Sequence, residues 1–447
     1  MTDVYLQENN ELMESMLKNS FFAAWGEKGR ECCSEKYLNY KPLELVINGY
    51  CDLKCKYCYI TQFGEQLYPK EIHQNTKNIV NNTKIFLDWL KENDLYPSDI
   101  SLFSGDPLVQ NVGYDVLDLV IDFLSEKGGI ITIPTNFNFV MDEKRLISVR
   151  ERMKICSEKN IKLFLSASVD GLHCDKNRPF KNHKKERDYD KIFSVAKELN
   201  SAFHPMIYSE EIEYWKDNFL WFQEMFEKYE IPWNALYLLE VRNVEWTQKQ
   251  IREFYKFIQF VVGWCYEKYK SLQIDMSFME YTFKERLFNL FGMFGHIGRG
   301  VGCSIQNSFQ LRLADLSIFP CHRLTYHFFK LMEFEKEDNK ICGVKGINPE
   351  LWSAVQAMNH KNVSYCETCI IKELCNGQCL GSMFEVTNDL FTPIPIVCQL
   401  EHIKCHAVIN KLYDIGIFPK ELDWLSKEKR QSIEMLKNCI NTEDIKI

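Results

Sequence analysis

Of the 18 cysteines in this 447-residue chain, three fall in the run Cys51-Asp52-Leu53-Lys54-Cys55-Lys56-Tyr57-Cys58. Three thiolates are one short of the set that closes an iron–sulfur cube. A cube held by four cysteines passes electrons, whereas one held by three keeps an iron open to a further ligand, so the run points to chemistry at a metal. Random placement would give such a triple with an expectation of roughly 0.03 per chain, which makes accident a poor account of it. Zinc also accepts thiolates, and a zinc knuckle or three ordinary thiols are the plainer alternatives. Against zinc stands the missing fourth ligand: no His or Cys follows Cys58 until His73.

A second group lies downstream. Cys303 and Cys321 come first, then Cys366-x2-Cys369-x5-Cys375-x3-Cys379, then Cys398. The four-cysteine run has a chance expectation of roughly 0.001. A zinc ribbon or a disulfide scaffold is the alternative here. The opening MTDVYLQENN has neither a basic stretch nor an apolar one, so no secretory signal is expected. Thiols in such a protein stay reduced and bind metal more often than each other. The longest uncharged apolar stretch, Phe257 to Cys265, is too short to cross a bilayer. A cytoplasmic protein without a membrane partner is expected.

The two cysteine groups together resemble the radical S-adenosylmethionine (SAM) enzymes that carry a C-terminal SPASM domain. The resemblance spans about residues 43 to 400 and includes the aromatic Tyr57 before the last cysteine of the first group. It implies a [4Fe-4S] cluster on Cys51, Cys55 and Cys58 whose free iron chelates SAM, an electron from which splits SAM to methionine and a 5′-deoxyadenosyl radical. It also implies two auxiliary [4Fe-4S] clusters, making three in all. By position, one auxiliary cluster takes Cys366, Cys369, Cys375 and Cys398, and the other takes Cys303, Cys321 and Cys379. For the latter a fourth site is either open or filled by Cys405 or a His. One departure is Leu316, which stands five residues before Cys321 where family members place Gly.

Around these residues the apolar runs alternate with amphipathic stretches, as a parallel α/β unit requires. Strands are expected at Leu43–Asn48, Ile100–Phe103, Ile130–Ile133, Lys162–Ser166, Pro205–Tyr208 and Ala235–Leu239. Helices are expected at Ile72–Glu92, Tyr114–Lys127, Glu143–Lys159, Tyr189–Leu199, Tyr214–Tyr229 and Thr247–Tyr269. The fold class is α/β, a partial (β/α)6 radical SAM barrel followed by a cysteine-rich α+β SPASM domain. Boundaries fall at an N-terminal helical extension (1–41), the barrel (42–271), a bridging helical segment (272–302), the auxiliary-cluster domain (303–400) and C-terminal helices (401–447). Ligands of parallel barrels bind at the carboxyl ends of the strands, and the first cysteine run follows the first strand.

Other positions at strand ends carry the resemblance further. Ser104-Gly105-Asp106-Pro107 is similar to the family's GGEP motif, which holds the SAM amino group. Thr135-Asn136 is similar to its TN-Gly. Ser166-Ala167-Ser168-Val169-Asp170-Gly171 with the later Arg178 resembles its S-x-D-G segment; Ser168 would bind the ribose and Arg178 the methionine carboxylate, for which a guanidinium fork is suited. In sulfatase maturases a catalytic Asp directly follows the second cysteine of the first auxiliary cluster. Here that place is His322, followed by Arg323, which are the catalytic candidates.

The formal charge is −8; ten ligating thiolates and three clusters would bring it to about −12, a poor partner for a nucleic-acid backbone. The basic run from Lys181 to Arg187 reads as a solvated loop. The resemblance implies a peptide maturase, one that takes hydrogen from a ribosomally made precursor peptide and closes an intramolecular thioether, C–C or C–O crosslink. Its partners would be that peptide, a separate leader-peptide-binding protein and a flavodoxin- or ferredoxin-type reductant. A sulfatase-maturase-like oxidase, a peptide epimerase and an electron-transfer polyferredoxin are the competing readings.

Overall fold

A computed structural model of the chain describes residues 42–103, 105–182, 186–271, 309–357, 363–375, 377–416 and 427–439. The expected extension (1–41), the bridge (272–302), Ser104 and Cys303 lie outside them.

Leu43–Val46 (β1) is buried at every position, as a strand covered on both faces must be. Asp99–Phe103 (β2), Gly129–Thr135 (β3), Ile161–Ala167 (β4) and the short Ala202–Phe203 (β5) follow it in parallel order. The registers place Leu43 beside Ile100, and Ile131 beside Leu163. Beyond β5 the ladder breaks. Met206–Ile207 (β6) and Leu239–Glu240 (β7) form a separate parallel pair. Pro205, which offers no N–H to a ladder, lies between β5 and β6. Pro232 precedes a 3-10 turn at Trp233–Ala235, which moves the last expected strand from 235–239 to 239–240.

Helices fill the connections. Tyr59–Leu67 (α1) and Lys70–His73 (α2) follow the first cysteine run, and Thr76–Glu92 (α3) leads to β2. The helix expected from Ile72 begins at Thr76, because the Asn75 side chain accepts from the Asn78 N–H and caps it there. Asn111–Leu124 (α4), Glu143–Glu158 (α5), Tyr189–Glu198 (α6), Trp215–Lys228 (α7) and Gln248–Ser271 (α8) lie close to their expected spans.

Past residue 308 the chain returns to the same sheet. Phe309–Arg312 (β8) pairs in parallel with the free edge of β1, and Ser317–Phe319 (β9), Met332–Glu337 (β10) and Lys340–Gly346 (β11) continue antiparallel. The result is nine strands in the order β11-β10-β9-β8-β1-β2-β3-β4-β5. In the β8–β9 hairpin, Leu316 adopts φ 54° while fully buried, and its carbonyl accepts from Phe334 N–H at 3.0 Å. The Gly-like backbone is thus kept without the Gly. Pro349–Ala357 (α9), Ser364–Glu367 (α10), Leu380–Thr387 (α11), Pro395–Asp414 (α12) and Lys427–Cys439 (α13) complete the described chain, with α12 packed along α8. Among the described residues no helix is long and apolar enough to cross a membrane.

Candidate functional site

The first cysteine run leaves the carboxyl end of β1 and is held by the segment after β4. Lys54 N–H donates to Pro179 O at 2.8 Å, Lys56 N–H to Asn177 O at 2.9 Å, and Lys181 N–H to Asp52 O at 2.9 Å. The Asp52 carboxylate accepts from Asn136 Nδ2 at 2.6 Å and from Asn138 Nδ2 at 3.0 Å, which fastens the loop to the end of β3. Leu53 N–H and Asn136 Nδ2 approach Cys51 Sγ at 3.4 and 3.6 Å.

Cys51, Cys55 and Cys58 all line one cavity of about 1570 Å³. Among the described residues, no three His, Cys, Asp or Glu groups converge on a single ion. A zinc ion needs its sulfurs about 2.3 Å from one centre; thiols that line a space instead fit a polynuclear cluster that fills it. Burial pushes the Cys51 thiol far up, with Asp106 adding to it. Burial also pushes Cys55 up to about 11, against the pull of Arg178. Thiols whose ionisation burial opposes this strongly suit a cationic inorganic core, which would supply the charge that holds them as thiolates.

At the end of β2, Gly105 passes so close to the loop that a Cβ there would stand 1.8 Å from Tyr50 O. Asp106 donates its N–H to that same oxygen at 2.8 Å. Its carboxylate is wholly buried: Oδ1 accepts from Leu108 N–H at 2.9 Å, and Oδ2 from Asn136 N–H at 2.6 Å and Thr135 Oγ1 at 2.9 Å. Burial pushes it up to about 7. Asp106 therefore clamps β2 to β3 from behind, while Gly105, Thr135 and Asn136 face the cavity. Pro107 opens a 3-10 turn beside it.

Ser168 and Arg178 face the cavity too. Ser168 N–H donates to Thr135 O at 2.7 Å. Arg178 is buried with Nε 2.8 Å from Asp170 Oδ1, and its guanidinium lies 5.3 Å over the Tyr57 ring. The Tyr57 hydroxyl donates to the other Asp170 oxygen. The basic run ends differently from its expected solvated form, because Arg187 turns inward to pair with Asp175, its side chain only 2% exposed.

The cavity is also lined by Cys321, His322, Arg323 and Cys379. The His322 ring stacks on Phe103 with centroids 4.3 Å apart, and its Nδ1 lies 3.3 Å from Glu44 Oε2. Arg323 is taken up as a strut: Nε donates to Glu385 Oε1 at 3.0 Å and Nη1 to Ser382 Oγ at 2.8 Å. Cys379 caps α11. Burial opposes its ionisation, but Arg323, Ser382 and Arg242 outweigh it and hold the thiol below its usual range.

The remaining ligand candidates, Cys366, Cys369, Cys375 and Cys398, gather near the start of α12. Cys369 Sγ lies 3.3 Å from His402 Nε2, Gly377 N–H donates to Cys375 Sγ at 3.3 Å, and Gln378 Nε2 donates to Cys398 Sγ at 3.0 Å. Burial pushes Cys398 up to about 11, with Cys366 and Cys369 adding to it. Cys405 is buried on the same helix, and the thiols that act on it are Cys375 and Cys369.

Several cavity residues escaped the sequence reading. Glu44 had a signal, as the lone charge in an apolar strand. Glu240 and Arg242 had none that spacing could reveal: fully buried Glu240 meets Lys404 Nζ at 3.1 Å and Arg242 Nε at 3.1 Å, across 164 positions in the first case.

No protein-family profile matches the chain, and no curated protein matches it. Among solved structures, Streptococcus suis SuiB bound to S-adenosylmethionine is 15% identical, with 83% of this chain and 81% of that chain covered and a TM-score of 0.48. SuiB bound to the precursor peptide SuiA is 14% identical, with 83% and 80% covered and a TM-score of 0.47. SuiB in a further structure is 14% identical, with 83% and 81% covered and a TM-score of 0.47.

Proposed function

We propose that the chain is a radical SAM enzyme with a SPASM-type C-terminal half, and that it modifies a ribosomally made peptide. The observation that carries this reading is a single cavity lined both by Cys51, Cys55 and Cys58 and by Cys321 and Cys379. A [4Fe-4S] cluster on the first three cysteines would supply the one-electron cleavage of SAM, and with it a hydrogen-abstracting radical. The sheet from β1 to β5, extended by the β6–β7 pair, is read as the partial (β/α)6 barrel that presents the site.

The chain's own residues do the positioning. Asn136 and Ser168 offer polar groups at the ends of β3 and β4, and Arg178 brings a buried guanidinium to the same wall. His322, with Glu44 on Nδ1 and Phe103 against its face, is oriented to accept a proton from a substrate. The volume, about 1570 Å³, exceeds the roughly 300–1,000 Å³ of small-molecule pockets, which leaves room for a peptide segment beside SAM. Cytoplasmic location, a leader-binding partner and a flavodoxin- or ferredoxin-type reductant belong to the same proposal.

Anaerobic reconstitution tests it. Full-length protein should bind about twelve irons, four per cube, and form 5′-deoxyadenosine from SAM under dithionite. Replacing Cys51, Cys55 and Cys58 together by Ala should abolish that product while the downstream irons stay. Four irons or fewer would sink the SPASM half, and cleavage persisting in the triple variant would sink the role of the first group.

A further inference from the structure

Gln378 lies between Cys375 and Cys379 in sequence, yet its side chain points away toward α12. It is buried, at 6% exposed. Ile394, the residue that caps α12, donates its N–H to Gln378 Oε1 at 2.8 Å, and its carbonyl accepts from Gln378 Nε2 at 3.1 Å. The remaining N–H of the amide goes to Cys398 Sγ at 3.0 Å. The orientation is not free to reverse: a backbone N–H must meet the amide oxygen, so the NH2 group must face the sulfur.

We propose that Gln378 is a positioning residue for the cluster on Cys366, Cys369, Cys375 and Cys398, and that its N–H···S hydrogen bond raises that cluster's reduction potential. The inference rests on the cluster reading above. Three of the four thiols come from the segment that ends at Cys375, and the fourth comes from the first turn of α12. Gln378 is the side chain that registers one against the other. Its donor also acts on charge. Reduction adds an electron whose density the thiolates share, and a fixed N–H dipole aimed at a sulfur stabilises that state more than the oxidised one; hydrogen bonds to sulfur are among the determinants of cluster potential. Gly377 N–H at Cys375 Sγ works in the same direction.

The test compares full-length wild type with Gln378→Glu and Gln378→Leu, all reconstituted anaerobically, by iron content and an EPR-monitored reductive titration. The relevant signal is the one absent from Cys366→Ala. Glu keeps an acceptor for the Ile394 N–H but turns an oxygen toward Cys398. It should retain iron and lower the reduced-to-oxidised ratio at a fixed potential by about tenfold, ~59 mV for a one-electron couple. Leu removes all three hydrogen bonds and should shift the signal the same way or lose it. Full iron with an unshifted signal in both variants overturns the inference alone. Wild type without any Cys366-dependent signal overturns the cluster reading, and this inference with it.

Discussion

Tyr57 and Asp170, 113 positions apart, are joined by a hydrogen bond from the tyrosine hydroxyl to Asp170 Oδ2. The other oxygen of that carboxylate stands 2.8 Å from Arg178 Nε and accepts from Met206 N–H at 2.9 Å. One fully buried acid therefore ties the cysteine loop, the turn that bears Arg178 and the strand β6 to a single point. Burial opposes the charge on both groups, and for each the first effect against it is the charge of the other, which prevails at Arg178 but leaves Asp170 above the usual carboxylate range.

Asp170→Asn keeps the shape of the side chain and leaves the buried guanidinium unpaired. The expected cost is about 3–5 kcal/mol in urea unfolding. Arg178→Met should cost a similar amount, and the double variant should be markedly more stable than the sum of the two losses. Strict additivity of the two single effects would show that the pair is not coupled.

The four long strands and their helices were legible because each strand is mainly apolar, with only isolated polar residues such as Glu44 and Lys162, and is set between amphipathic stretches. β6 falls within the expected 205–208, but β5 at 202–203 was missed and the last strand is displaced to 239–240, since Pro205 and Pro232 each break a ladder whose partner sequence reasoning had to guess. At the site, the place of the cysteine run after β1 followed from strand order. The direction of a side chain did not. Ser104-Gly105-Asp106-Pro107 announces a tight turn, but whether Asp106 faces the ligand space or the backbone behind it depends on Thr135 and Asn136, about 30 residues away. Arg323 likewise is fixed by Glu385, a contact that spacing could not foretell.

Leu316 offers a case where two effects oppose. Its φ of 54° costs a non-Gly residue about 1–3 kcal/mol, and Gly would remove that strain. The same side chain is fully buried, and truncating a buried Leu costs about 3–5 kcal/mol. Packing wins, so Leu316→Gly should lower the unfolding free energy even though its backbone conformation favours Gly. A variant as stable as wild type would mean that the surrounding core closes over the gap.

A buried histidine should show in the pH dependence of the apoprotein. His73 has its Nδ1 3.2 Å from Ile47 O and packs edge-on against Tyr68. Burial, then the positive Arg312, lowers its pKa from 6.5 to about 4. Between those values the unfolded chain binds a proton that the folded one refuses, so His73 contributes stability above the upper value that is lost as pH falls toward the lower. His73→Phe keeps the aromatic packing and removes the titration. Relative to wild type it should gain about 1.4 kcal/mol per pH unit across that window on acidification, and nothing further above it. A constant difference in unfolding free energy over the whole range would refute the assignment.

The product follows from where the downstream thiols stand. Cys321 and Cys379 line the same cavity as the first cysteine group, so an electron acceptor held there would border the substrate. Taking a hydrogen atom from a peptide carbon leaves one unpaired electron. Joining that carbon to a second side chain then releases a proton from the partner group and one electron to the acceptor, which leaves the peptide two hydrogens lighter. If the partner group is a substrate thiol the link is a thioether; otherwise it is a C–C or C–O bond. Co-expression with a candidate precursor peptide should give that mass loss and an internal crosslink in tandem mass spectra. A cysteine consumed in a thioether will no longer react with iodoacetamide, whereas a C–C or C–O link leaves it reactive. An unchanged mass with deuterium taken up from solvent would mean inversion at a single carbon, with no electron passed to an acceptor, and would rule the crosslink out.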